Sequence, residues 1–214
     1  MDFVLDQAEI RVAASLIEKE ITTPEYYPLT LNALVNACNQ KSNRDPVVNY
    51  DGDTVEAAVD TLREKKLAAV ITGAGMRVPK YREMLMETVN LGRREIALVC
   101  ELMLRGPQTA GELRDRAARM HPFADIEEVE SVLEHLSTRE PDPLVVRLPR
   151  QPGTKEPRYA HLLAGASAAV VEAEPLVAPP REGRVAALEA EVRVLREEVN
   201  SLKAQFAEFR SQFE

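Results

Sequence analysis

At 214 residues, 45% hydrophobic and 29% charged, the chain has room for one or two ordinary domains, each able to bury its own core. It has no Trp and few aromatics, which leaves little for base-stacking recognition of single strands, and no apolar run nears the roughly 20 residues that span a bilayer. The net charge of −8 is spread as −3 over residues 1–84, −2 over 85–164 and −3 over the remainder, so no segment has the basic balance usual in a nucleic-acid binder.

Met1-Asp2-Phe3 has neither the basic start nor the apolar stretch of a secretion signal, and the expected compartment is the cytoplasm. The first element is an amphipathic helix opening after Leu5, with Ile10, Ala13 and Ile17 on one face. A break containing Tyr26-Tyr27 follows; this pair is expected to anchor the loop against the first helix. Thr30 then caps a second helix that carries Leu34. Asp53-Thr54-Val55-Glu56 has the form of a capping box opening a third helix, in which Val55, Val59 and Leu62 face inward. Leu67 to Ile71, Gly73-Ala74-Gly75 and Arg77 to Tyr81 read as a β-hairpin with its turn.

The same order then recurs. After Leu91 a helix places Ile96, Val99 and Met103 on one face, Thr109 caps a second helix carrying Leu113, and Asp125-Ile126-Glu127-Glu128 opens a third. Val129, Leu133 and Leu136 repeat the spacing of Val55, Val59 and Leu62. Leu144 to Leu148, Gln151-Pro152-Gly153 and Arg158 to Leu162 form the second hairpin, with Tyr159 at the place of Tyr81. Three helices followed by a hairpin is the winged-helix order, a helix-turn-helix variant. The predicted fold is therefore α+β, mainly α with small hairpins: a winged-helix domain over 1–84 and a second over 85–164.

Residues 165–183 are rich in Ala, Pro and Glu and read as a linker. Over 184–214 the apolar residues Val185, Leu188, Val192, Leu195, Val199, Leu202, Phe206, Phe209 and Phe213 alternate steps of three and four, which is a coiled-coil seam. A parallel pair sets Glu191 against Arg196 and Glu198 against Lys203, whereas an antiparallel pair centred on Val199 brings like charges together. A parallel homodimer is the expected state.

Two stretches carry a resemblance. Thr22-Thr23-Pro24-Glu25-Tyr26-Tyr27-Pro28-Leu29-Thr30, with Asn39-Gln40-Lys41-Ser42-Asn43-Arg44-Asp45-Pro46-Val47, resembles the signature of the YceH family, uncharacterised protein family 0502, built on domain of unknown function 480. In the second half Gly111-Glu112-Leu113-Arg114, Arg119-Met120-His121 and Leu144 to Arg150 are similar to the same family. The resemblance covers about residues 5 to 163 and implies a tandem winged-helix fold and a bacterial cytoplasmic protein. It implies no biochemical activity.

For double-stranded DNA, the expected phosphate contacts are Lys41 and Arg44 between the second and third helices, Arg77 and Lys80 in the first wing, Arg114, Arg116 and Arg119 on and just beyond the second helix of the second half, and Arg150, Lys155 and Arg158 in its wing. Against this stand the third helices, fronted by Asp51, Asp53, Glu56 and Asp60 in one half and by Asp125, Glu127, Glu128, Glu130 and Glu134 in the other. Carboxylates there repel phosphate, and the joint from Asn39 to Tyr50 is far longer than a tight helix-turn-helix turn. The alternative is a scaffold that grips a protein partner on these acidic surfaces, with the coiled coil supplying bivalency. No catalytic motif, metal spacing or cofactor fingerprint is present in the sequence, and Cys38 and Cys100 read as small core residues.

Overall fold

The computed structural model describes residues 3–73, 77–150 and 156–165. The chain divides into two compact units, 1–173 and 174–214, and every described residue belongs to the first. The linker, the heptad segment, Lys155 and both hairpin turns lie outside the described residues wholly or in part.

Helix α1 (Gln7–Thr22) starts at a reciprocal cap: the Asp6 side chain accepts from Glu9 N and the Glu9 carboxylate accepts from Asp6 N, both at 2.8 Å. A short 3-10 turn (Pro24–Tyr26) and strand β1 (Leu29–Thr30) lead into α2 (Leu31–Cys38), capped by Thr30 as the sequence predicts. Helix α3 (Gly52–Glu64) begins earlier than expected. Asp51 rather than Asp53 takes the cap position and accepts from Thr54 N at 2.9 Å, leaving Asp53 as an exposed first-turn acid that complements the helix dipole.

Strands β2 (Ala68–Ile71) and β3 (Lys80–Glu83) pair antiparallel, and β3 also pairs with β1, giving the order β1-β3-β2. The returning strand thus lies later than the expected Arg77–Tyr81, because Tyr81 and Glu83 are the residues that alternate inward. A helix absent from the sequence reading, α4 (Leu85–Val89), connects to the second half and ends at Asn90, whose positive φ terminates it.

The second half runs α5 (Arg93–Arg105), α6 (Ala110–Ala117), α7 (Ile126–Thr138), β4 (Val145–Arg147) and β5 (Tyr159–His161). Thr109 caps α6 in a full capping box with Glu112, and Asp125 caps α7 through Glu128 N; the Glu128 carboxylate reaches past the cap to Ala124 N. In place of a β1 equivalent, Gln108 forms an isolated antiparallel bridge to Tyr159, with backbone bonds of 2.7 and 3.0 Å. Leu29 pairs with Tyr81 in the same way, each residue sitting directly before a threonine cap. The repeat is therefore matched down to strand register.

The halves share one continuous hydrophobic core. Helix α1 is buried along the whole run Glu9–Glu18 and α5 along Ile96–Leu104, whereas a surface helix buries only a stripe. The reason is that these equivalent helices pack on one another as well as on their own halves. Cys100 Sγ donates to the Ala14 carbonyl across that contact, Leu5 N bonds Leu163 O at 2.8 Å, and Asp45 N bonds Leu104 O at 3.0 Å.

Candidate interaction surfaces

Burying α1 on all sides also buries its polar residues, and these organise the junction. Glu18 lies fully inside and receives both guanidinium nitrogens of Arg44, at 3.0 and 2.5 Å, together with Arg119 from the other half. Arg119 also binds Glu101 of α5, and Arg105, beside Glu101, donates to Asn43 Oδ1 at 2.7 Å. Burial by itself would raise the Glu18 carboxyl; hydrogen bonds and charge from Arg44 and Arg119 reverse this and hold it at about 2. The same contacts raise Arg119 against its own desolvation. An interior chain of alternating charge thus joins α1, the segment after α2, α5 and the end of α6.

Several of the expected phosphate contacts have partners within the fold. Arg44, 5% exposed, also donates to the Asn43 and Ala37 carbonyls, and its one unpartnered donor, Nε, is buried away from any phosphate. Arg119 is held between Glu18 and Glu101 for the same electrostatic reason, a buried carboxylate needing a cation. Arg116 bonds Gln108 Oε1 at 2.8 Å and Glu112, and Arg158 donates to the Pro107 carbonyl at 2.7 Å beside Glu112. Arg114 pairs with its neighbour Asp115. Lys41, Arg77 and Arg150 are exposed and Lys80 half-buried, none in an ion pair among the described residues. They stand on separate segments: the joint after α2, the first hairpin and the second.

The family signature after α2 has a structural explanation. Asn39 clasps Tyr50 with both amide atoms, donating to its carbonyl at 2.7 Å and accepting from its N–H at 2.8 Å. Arg44 is buried, the Asn43 side chain and the Asp45 N–H bond Arg105 and the Leu104 carbonyl of α5, and Arg11 donates to the Pro46 carbonyl at 2.6 Å. The long joint is a strap across the junction, which is why it exceeds a turn. The tyrosine pair also separates into two roles: Tyr26 is 73% exposed, while the Tyr27 hydroxyl accepts from Glu83 N at 2.6 Å. The loop packs on the first helix as expected, and Tyr27 adds a hydrogen bond to β3.

An exposed acidic pattern recurs on the third helix of each half. Asp53, Glu56 and Asp60 project from α3 at spacings of three and four, one exposed line along the helix. Glu127, Glu130 and Glu134 occupy the equivalent positions of α7, at the same offset that relates Val55, Val59 and Leu62 to Val129, Leu133 and Leu136. Each triad adjoins its hairpin tyrosine: burial raises the Tyr81 and Tyr159 hydroxyls, and Glu56 with Asp60, or Glu130 with Glu134, adds to the effect. One member of the first triad, Asp60, is tied to Arg63 on its own helix at 2.8 Å. The acids themselves were readable in the sequence; their position-by-position equivalence needed the aligned helices.

Among the described residues no group of His, Cys, Asp and Glu could hold a metal ion, and no helix is long and apolar enough to cross a membrane. Burial pushes the Cys38 thiol up to about 11 and raises the Cys100 thiol well above its ordinary value, so neither is poised as a nucleophile.

What these elements define is an α+β protein built on a duplicated helix–helix–helix–hairpin order. Residues 5–154 match the family described as "Protein of unknown function, DUF480", and the chain belongs to it. Its relatives carry the name UPF0502 protein. That of Geotalea daltonii is 57% identical over 185 residues, covering 86% of this chain and 83% of that one. That of Pelobacter propionicus is 54% identical over the full length of both, and that of Citrifermentans bemidjiense 59% identical over 165 residues, 77% of this chain and 76% of its own.

Proposed function

We propose that this protein is a non-enzymatic, cytoplasmic tandem winged-helix module that grips a basic segment of a partner protein on the outer faces of α3 and α7. The observation that carries the reading is the pairing of two facts. The same three positions are acidic on both third helices, and the arginines best placed to offset them toward DNA, Arg44, Arg116 and Arg119, are engaged within the fold. A third helix lined with carboxylates repels a phosphate backbone and attracts Lys and Arg side chains. The strand order β1-β3-β2 and its counterpart around Gln108 and Tyr159 support the winged-helix assignment. The heptads of 184–214 support a parallel homodimer, which presents four such faces and gains affinity through bivalency.

A photo-crosslinking residue at Ala57 or Ser131, the equivalent exposed positions inside the two triads, should trap protein in growing cells. Charge reversal at Glu127, Glu130 and Glu134 should abolish the adduct. Double-stranded DNA binding is the second reading, favoured by exposed Arg77 and Arg150 on the two wings. Tight, salt-sensitive binding of a mixed-sequence duplex that is lost in R77E/R150E would overturn the protein-partner reading in its favour. Removal of residues 184–214 should convert the dimer to a monomer by sedimentation; a truncated chain that still sediments as a dimer refutes the coiled-coil assignment.

A further inference from the structure

At the base of the first hairpin two carboxyl groups from different elements meet inside the protein. Glu83, the last residue of β3, is 6% exposed, and its Oε2 accepts from Met86 N at 3.1 Å at the start of α4. Glu20, two residues before the end of α1, lies in hydrogen-bonding contact with it where α1 packs on β3. Glu20 Oε2 is buried and has no donor in reach. The other groups facing the pair leave that atom unserved. The Tyr27 hydroxyl accepts from Glu83 N and does not donate to Glu20 Oε2, and Arg82 turns to Met84 Sδ and Glu87.

Two ionised carboxylates in contact, one of them short of a donor, are not a stable arrangement in an apolar site. A single proton held between them removes the repulsion and supplies the missing donor. We propose that Glu20 and Glu83 form a proton-sharing latch that fastens α4 and the Tyr27 loop to α1, and that deprotonation loosens it. Desolvation, with Glu20 alongside, lifts the Glu83 carboxyl to about 7, so the latch works in the neutral range. The latch acts locally. On the α1–α5 side the halves remain joined by Glu18, Arg44, Arg119 and Glu101, and Glu18, held at about 2, keeps its charge over that range.

The direction follows from linkage. Glu83 binds its proton more tightly closed than open, so opening is least favourable below the ordinary carboxylate value of about 4.5. It becomes easier as pH rises from there to about 7, and levels off above. Hydrogen exchange of the full-length protein reads this directly. After correction for the intrinsic exchange rate, the peptide spanning residues 80–90 should lose protection by up to about tenfold per pH unit between pH 5 and 7. Peptides from α5 should not follow. E83Q and E20Q each remove the shared proton and should flatten the slope. A wild-type slope near zero, or the same slope retained in both variants, overturns the proposal. If either variant fails to fold, the carboxyl carbon resonance of Glu83 in the wild-type protein decides: a midpoint near 7 supports the latch and one near 4.5 sinks it.

Discussion

Glu18 shows how a single residue can set the character of a junction. In the sequence it reads as one acid on an amphipathic helix, and the neighbouring Arg44 and Arg119 read as surface cations. The structure buries Glu18 and Arg44 and draws the partly covered Arg119 onto them, because α1 is covered by both halves and a buried carboxylate must find cations. Nothing in the local spacing announces this, since Arg119 is about a hundred positions away and only the α1–α5 contact brings it within reach. Glu18→Ala leaves the buried Arg44 without its anion and Arg119 with Glu101 alone, and should cost about 3–5 kcal/mol in chemical denaturation. A loss under about 1 kcal/mol would show the network to be dispensable. Glu18 titrates well below its ordinary value, so its contribution is complete above about pH 4.5 and lost as pH falls toward 2. His161, 3% exposed and pushed down to about 4 by desolvation, adds a loss of the same sign between pH 6.5 and 4. Glu83, held above its ordinary value, works the other way.

At the level of elements, legibility followed the strength of local signals. The threonine caps of α2 and α6, the paired tyrosines of the hairpins and the repeated apolar triplets of α3 and α7 rest on contacts a few residues apart, and the structure has them where the spacing put them. The start of α3 was misplaced by two residues because Asp51 and Asp53 offer the same capping chemistry, and only the burial of Val55, Ala58 and Val59 decides between them. Helix α4 escaped notice since five residues carry no periodicity. The candidate surfaces divide in the same way. The acidic faces were visible as residues. The withdrawal of Arg44, Arg116 and Arg119 was not, because each answers to a partner chosen by tertiary packing. Boundaries and caps are local matters; availability of a charge is not.

For the molecule as a whole, the repeat suggests two independent domains, yet the core runs unbroken from Leu5 to Leu163. Residues on α1 such as Val12, Ala14 and Leu16 are fully buried in a helix that both halves cover. Residues 1–84 expressed alone should therefore expose that apolar face and fail to give a cooperative thermal transition, while residues 1–165 should melt in one step. Two separate transitions in the longer fragment, or a stable shorter one, would show the halves to be autonomous.

The back-to-back placement of the two equivalent helices bears on how the protein is made. During synthesis the first half leaves the ribosome with one side of its central helix still bare, and it stays so until the chain has grown past Arg105. At about 5–20 residues per second that interval lasts seconds. A nascent chain in that state offers Val12, Leu16 and their neighbours to any chaperone or sticky surface nearby, and its own later-made counterpart is what ends the exposure.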